Sequence, residues 1–335
     1  VYSKGLFFLN YAVWRDEPEA ERSDEAESVQ ERERRLTLVK NASTLAEPLA
    51  HGAKASETRK APRTLRGVFG KPFVTLDDLF DLSGLDAIHD EICLALAQMP
   101  TGYTGGSHRS MGIMPAGYES EALVDYQEVI RGLDDAGFAT FQSLSDEPLA
   151  IDPATRGEVQ FGEERDIPLS TRQMLWLKMR HRVYFPWKVY AELIPNERWE
   201  DKCNPAGKRF TRRAEALLPK TIAFVKQLPF THIGRCNIMG LEAHDHGTVH
   251  RDGEPRAQQS PDPFLTICPT GGKRLYVLDP ATGERIQVEG RVVWFNDHDY
   301  HGVLADPFFR YSVRVDGPFN PDFREELIRR FGRQP

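Results

Sequence analysis

The chain has 335 residues, enough for about two domains and ample to bury a core. Hydrophobic residues make up 40% and charged residues 28%, a balance that excludes a disordered, collagen-like or coiled-coil chain. A formal net charge of −7 argues against a general nucleic-acid binder and against attachment to an anionic membrane. The apolar runs are far shorter than the ~18 residues of a membrane-spanning helix.

Residues 1–14 read as an apolar, strand-like segment, without the small-residue cleavage site of a signal peptide. Residues 15–35 are dense in Glu and Arg and read as a solvated helix or a linker. Residues 40–66 are polar and irregular, so residues 1–66 form a charged N-terminal segment. A helix-rich portion follows over 67–229. Thr75 followed by Asp78 has the form of a helix N-terminus. The repeat Ile88, Ile92, Leu96 predicts a helix over 85–99. The Gly-rich stretch 101–106 lacks the lysine and further glycines of a phosphate-binding loop. Residues 121–136 carry a second helical pattern. Residues 171–228 read as helical and unusually aromatic, with Trp176, Tyr184, Phe185, Trp187, Tyr190 and Trp199, and 214–227 as an amphipathic helix. These aromatics suit a core or a lid. Cys93, Cys203, Cys236 and Cys268 are widely spaced, with no CxxC pair, as expected of reduced thiols in a cytoplasmic protein.

Beyond Phe230 the texture changes to short runs rich in Val, Ile and aromatics, split by turn signals. The runs are 233–241, 248–252, 264–268, 274–279, 285–288, 291–295, 301–304 and 310–316. Eight short strands at this spacing predict a jelly roll, or double-stranded β-helix, over 230–335. The whole reads as an α+β protein.

Six of the ten histidines fall between His232 and His301, which directs attention to this region. His250 and Asp252 stand two apart, so a strand presents both on one face. A third ligand from a distant strand, best His301, completes two histidines and a carboxylate. That set leaves coordination positions open, as in non-haem Fe(II) oxygenases. Residues 310–315 alternate strictly. Arg310, Ser312 and Arg314 share one face, and Tyr311, Val313 and Val315 share the other. With the polar face inward, a guanidinium and a hydroxyl suit a dicarboxylate.

His250-x-Asp252, then His301, then Arg310-x-Ser312 nine residues on, resembles the Fe(II)/2-oxoglutarate-dependent dioxygenases. Within them the stretch from residue 218 to 316 is most similar to the aspartyl/asparaginyl β-hydroxylases. The resemblance implies Fe(II) on His250, Asp252 and His301, which are then the catalytic centre. It implies 2-oxoglutarate on Arg310 and Ser312, with Asn237 and Arg314 as further candidates. It also implies dioxygen and an amino-acid or peptide substrate as partners, with succinate and CO2 released. Asp252 is a departure, since some aspartyl hydroxylases carry a small residue there. The family's arginine on the strand after the first motif has no counterpart in 263–270; Arg256 or Arg274 stands nearest.

Three alternatives bear on the same residues. His244-x-His246 with His250 resembles a cupin metal site that needs no co-substrate, although its glutamate is missing. His298 competes with His301 as the third ligand. A non-catalytic jelly-roll binding module remains as a reading. Arg314 has two readings of its own, contact with an acidic ligand or pairing with Asp316 or another acid.

Overall fold

The computed structural model describes residues 64–98, 126–147, 149–161, 169–183, 189–196, 201–253 and 260–332, with Pro115, Gly117, Tyr118, Ile167 and Phe185. The expectations for residues 1–63, for the loop 101–106 and for Tyr184, Trp187, Trp199 and Arg256 lie outside the described residues.

Ten strands carry the architecture: β1 (Phe73–Thr75), β2 (Val189–Ile194), β3 (Arg235–Leu241), β4 (Gly247–His250), β5 (Phe264–Ile267), β6 (Leu275–Leu278), β7 (Arg285–Gln287), β8 (Val292–Phe295), β9 (His301–Val303) and β10 (Arg310–Asp316). They form two antiparallel sheets, one in the order β1-β8-β5-β10-β3-β2 and one in the order β4-β9-β6-β7. Neither sheet closes on itself. All eight strands expected beyond residue 230 are present, each within two residues of its expected bounds.

Two strands come from outside that region, which corrects the helical reading of the earlier residues. β2 lies within the stretch expected to be helical. All six of its residues are buried, and it takes its main-chain partners from β3. That pairing is non-local, and tertiary context overrides local propensity. β1 occupies the expected helix start and pairs with β8 instead. The acidic residue after it has a different task. The Asp77 carboxylate accepts the backbone N–H groups of Arg291, at 2.9 and 3.0 Å, and Val292, at 2.7 Å, so it caps the entry to β8.

The helices are α1 (Leu85–Gln98), α2 (Tyr126–Gly132), α3 (Asp135–Ser143), α4 (Thr171–His181), α5 (Arg212–Leu217), α6 (Pro219–Val225) and α7 (Pro321–Phe331). The single helix expected over 214–227 is two, because Pro219 has no N–H and Leu218 before it leaves the helical region at φ −130°. Leu218 offers α6 no side-chain cap, and Glu91 of α1 supplies one. Its carboxylate accepts the N–H of Lys220 at 2.8 Å and both the N–H and the hydroxyl of Thr221 at 2.7 Å.

The alternation in β10 divides the six-stranded sheet into two unlike faces. Tyr311, Val313 and Val315 join Ile238, Leu265, Ile267 and the α1 residues Ile88 and Ile92 in one apolar core. The opposite face carries Arg310, Ser312, Arg314 and Asp316. Arg314 stands between Asn237 of β3 and Thr266 of β5. A second core is built from α2, α3 and α4, with Tyr126, Phe138, Phe141, Phe161, Leu177 and Phe185. Trp176 packs at its edge, 6.3 Å from Phe141, so the described aromatics of the middle region are mostly core. Tyr190 is the exception, since it lies on β2 and accepts from Arg235 at 2.6 Å.

Candidate metal centre

β4 and β9 are neighbours, and their register sets His250 directly opposite His301. The two rings lie 4.5 Å apart between centroids. Asp252 follows β4 in a turn, and its N–H donates to the Asp297 carbonyl at 2.8 Å. The ligand atoms of His250, Asp252 and His301 all lie within 4.8 Å of one another, a group able to hold one metal ion. Asp252 Oδ1 is 3.2 Å from His250 Nε2 and 3.8 Å from His301 Nε2.

The histidines are oriented by the same device. His250 Nδ1 donates to the Thr248 carbonyl at 2.8 Å, and His301 Nδ1 donates to the Asp299 carbonyl at 2.9 Å. With Nδ1 protonated in this way, each Nε2 is left as the donor atom for a cation. Phe295 packs edge-on against His301 at 5.1 Å. Burial, and then the neighbouring His250, lower the His301 imidazole to about 4, against the pull of Asp252. The ring is therefore neutral near pH 7. Burial alone pushes the Asp252 carboxyl up, but its hydrogen bond with His250 and the adjacent His301, His250 and Arg314 side chains hold it well below the usual carboxylate range.

Two glycines let these parts approach closely. A Cβ on Gly302 meets the Tyr276 hydroxyl at 2.6 Å and the Gly247 carbonyl at 2.8 Å, so β9 reaches its neighbours only with glycine beside His301. A Cβ on Gly253 meets the His298 ring at 2.6 Å. His298 itself turns to Asp262, 3.5 Å away, so the third member of the cluster is His301. Asp262, Asp297 and His298 also converge, but Lys202 already pairs with Asp262 at 2.6 Å and with Asp297 at 3.2 Å. That second group is an ion-pair network. His244 is exposed, and neither it nor His246 joins a metal-competent group among the described residues.

The polar face of β10 departs from expectation in detail. Arg310 donates to four main-chain carbonyls, those of Glu242 (3.4 Å), Phe308 (3.3 Å), Asp245 (2.5 Å) and Leu304 (2.7 Å), and so ties two loops together. Arg314 directs its guanidinium to the chain's own acids Asp316, Asp297 and Asp252, the pairing that one of its two readings expects. The cation that sequence reasoning missed is Lys273. It is buried, and its ammonium donates to the Ser312 hydroxyl at 2.5 Å. Burial pushes Lys273 down to about 8; Cys268 opposes that shift, while Arg314 and Arg310 add to it. Lys273 thus brings an ammonium to the Ser312 hydroxyl, on the face of β10 that also carries Arg310 and Arg314. Lys273 lies in the turn before β6, where no periodicity marks it.

Asn237 is fully buried on the same face, and neither amide atom is hydrogen-bonded among the described residues. Leaving a buried amide unsatisfied costs about 1–3 kcal/mol, and such groups commonly face a ligand.

No family model matches the chain, and no curated protein matches it. Among solved structures, it is similar to a 2OG-Fe(II) oxygenase family oxidoreductase from Burkholderia pseudomallei, at 12% identity and TM-score 0.25, over 39% of this chain and 70% of that one. It is also similar to a Pseudomonas putida prolyl-4-hydroxylase, at 16% identity and TM-score 0.21, over 35% and 69%. A third is the viral collagen prolyl hydroxylase of Paramecium Bursaria Chlorella virus-1, at 10% identity and TM-score 0.22, over 38% and 77%. Likenesses of this size carry no functional weight, which rests on the groups in the site. Among the described residues, no helix is long and apolar enough to cross a membrane.

Proposed function

We propose that the chain is an Fe(II)/2-oxoglutarate-dependent dioxygenase that hydroxylates an unactivated C–H bond of an amino acid, free or within a peptide. The observation that carries this is the convergence of His250, Asp252 and His301, with both histidines held in the tautomer that frees Nε2. Two imidazoles that present Nε2 and one carboxylate fit a divalent iron and leave positions for other ligands. The resemblance of the HxD, His and RxS pattern supports the same reading. So does the passage of the strands from β3 to β10 back and forth between the two sheets, broken only by the β6–β7 hairpin within one of them, which supports a double-stranded β-helix.

Bound there, Fe(II) with 2-oxoglutarate and dioxygen supplies the oxidation of a C–H bond, with succinate and CO2 released. The protein's own work is positional. His250, Asp252 and His301 would hold the metal. Lys273 and Ser312 would take the distal carboxylate of 2-oxoglutarate. Arg310 holds the pocket wall and adds positive charge beside it. Asn237 would turn its amide to the co-substrate or substrate. Aspartyl, asparaginyl and prolyl groups are the leading substrates, on the sequence resemblance.

The test is an anaerobic titration of the protein with Fe(II) and then 2-oxoglutarate, following the visible charge-transfer band. The expected result is a band in the native protein that needs ten- to a hundredfold more 2-oxoglutarate in Lys273→Met, since a charge-assisted contact contributes about 1.5–3 kcal/mol. Metal affinity should be unchanged in that variant. A native protein that binds iron but forms no band overturns the assignment.

A further inference from the structure

We propose that Arg314 is a positioning residue for Asp252. Its guanidinium engages Oδ2, so that Oδ1 alone is presented to the metal, and Lys202 steadies that guanidinium through Asp297. The inference rests on the metal-centre reading of His250, Asp252 and His301.

The two oxygens of Asp252 have different neighbours. Oδ1 faces both histidine Nε2 atoms, at 3.2 and 3.8 Å, and Oδ2 faces Arg314 Nη1 at 3.4 Å. A carboxylate whose second oxygen is free can turn and bind a metal through both, which closes a position the co-ligand needs. Asp252 lies in a turn rather than in a strand, so the ladder does not fix its side chain.

Arg314 can act as a fixed reference because its other edges are occupied. Nε reaches both Asp316 oxygens, at 3.0 and 3.1 Å, and Nη2 reaches Asp316 at 2.9 Å and Asp297 at 2.7 Å. The Phe264 ring lies 3.9 Å beneath the guanidinium carbon. Such forked pairing constrains a planar guanidinium in direction as well as in charge. Nη1 is the edge that points to Asp252.

Asp297 holds Asp252 twice. Its carbonyl accepts the Asp252 N–H at 2.8 Å, and its carboxylate steadies the arginine that faces the Asp252 side chain. The same carboxylate oxygen accepts from Lys202 at 3.2 Å, and Lys202 is buried. Lys202 comes from a turn ahead of the main block of strands. Gly234 keeps that turn close, since a Cβ there meets the main chain of Cys203 at 2.7 Å. Lys202 is thereby linked, through Asp297 and Arg314, to the Asp252 carboxylate.

The test uses Co(II) alone as the probe, titrated into the full chain, with affinity and the visible d–d band as readouts. Arg314→Lys keeps the charge but cannot serve three carboxylates at once. Its Co(II) affinity should fall ten- to a hundredfold, in line with the usual loss when a ligand's supporting partner is removed. The band should also change in position and intensity as the carboxylate binds through both oxygens. Lys202→Met should show the same band change with a several-fold loss of affinity. A purely structural role would lower the melting temperature of the metal-free variants and leave the band of bound Co(II) as in the native protein; that result overturns the proposal. Should Arg314→Lys fail to fold, Lys202→Met decides by the same two readouts. If the native protein binds no Co(II), or if binding survives His250→Ala with His301→Ala, the metal-centre reading and the clamp fall together. If the native protein binds metal but not 2-oxoglutarate, only the oxygenase assignment falls.

Discussion

Lys273 is the residue on which the electrostatics of the pocket turn. Its pKa is lowered from the ordinary lysine range to about 8, chiefly by burial. Below pH 8 the side chain is charged in both the folded and unfolded chain, and the full penalty of burying it is present. Between about pH 8 and 10.5 the folded state has released a proton that the unfolded chain still holds, so stability rises with pH. The rise amounts to about 3 kcal/mol for a shift of this size. Urea unfolding of the metal-free protein across this range should show it, and Lys273→Met should flatten the difference. The same proton loss weakens a bound dicarboxylate, so 2-oxoglutarate affinity should fall above pH 8. Asn237 makes a complementary case. Replacing its unsatisfied amide by an apolar group of similar shape, Asn237→Leu, should raise metal-free stability by about 1–2 kcal/mol and weaken ligand binding. Loss of stability in that variant would mean that the amide is already partnered.

At the scale of elements, the site depends on how closely β9 approaches β4 and β6. His301 is opposite His250 on one side and opposite Val277 on the other. Gly302 is the position that permits both approaches, since any Cβ there meets Tyr276 and the Gly247 main chain. Gly302→Ala should therefore push β9 outward and cost roughly 1–3 kcal/mol, the usual range for overpacking a tight site. Because His301 is the next residue, metal affinity should fall in the same variant. Thermal melting and metal titration of one preparation check both effects. Other elements rely on carboxylate caps. Asp77 at β8 and Glu91 at α6 each satisfy main-chain donors on elements far from them in sequence. Such caps tie early residues to the late elements β8 and α6.

For the whole molecule, metal binding at the proposed centre would be linked to folding, because His250, Asp252 and His301 meet only in the folded chain. A divalent metal at a hundredfold its dissociation constant should stabilise the protein by about 2.7 kcal/mol. The melting temperature should therefore rise with added metal and return to the metal-free value with a chelator. His250→Ala and His301→Ala should each abolish that increment. An increment that survives both would place the metal elsewhere. The two apolar cores have separate tasks in this picture. One underlies the six-stranded sheet, and the other gathers the aromatics of α2, α3 and α4.

The short strands beyond residue 230 were legible because their alternation and the intervening Gly and Pro residues are local signals. The same is true of the shared face of Arg310, Ser312 and Arg314, since a period of two needs no knowledge of neighbours. The spacing of His250 and Asp252, with His301 preferred on the family resemblance, likewise picked out three residues that the fold brings together. What the sequence did not disclose is set by contacts between distant segments. β2 is a strand because β3 offers it a partner. Arg310 is held by carbonyls from two loops, and Arg314 by three acids that converge only in the fold. Lys273 and Lys202 sit in turns whose composition resembles any solvated turn, and their burial exists only once the sheets assemble around them. Local periodicity thus determined the late strands and the shared polar face of β10, while the tertiary structure decided which of its charges pair with one another and which buried lysines join them.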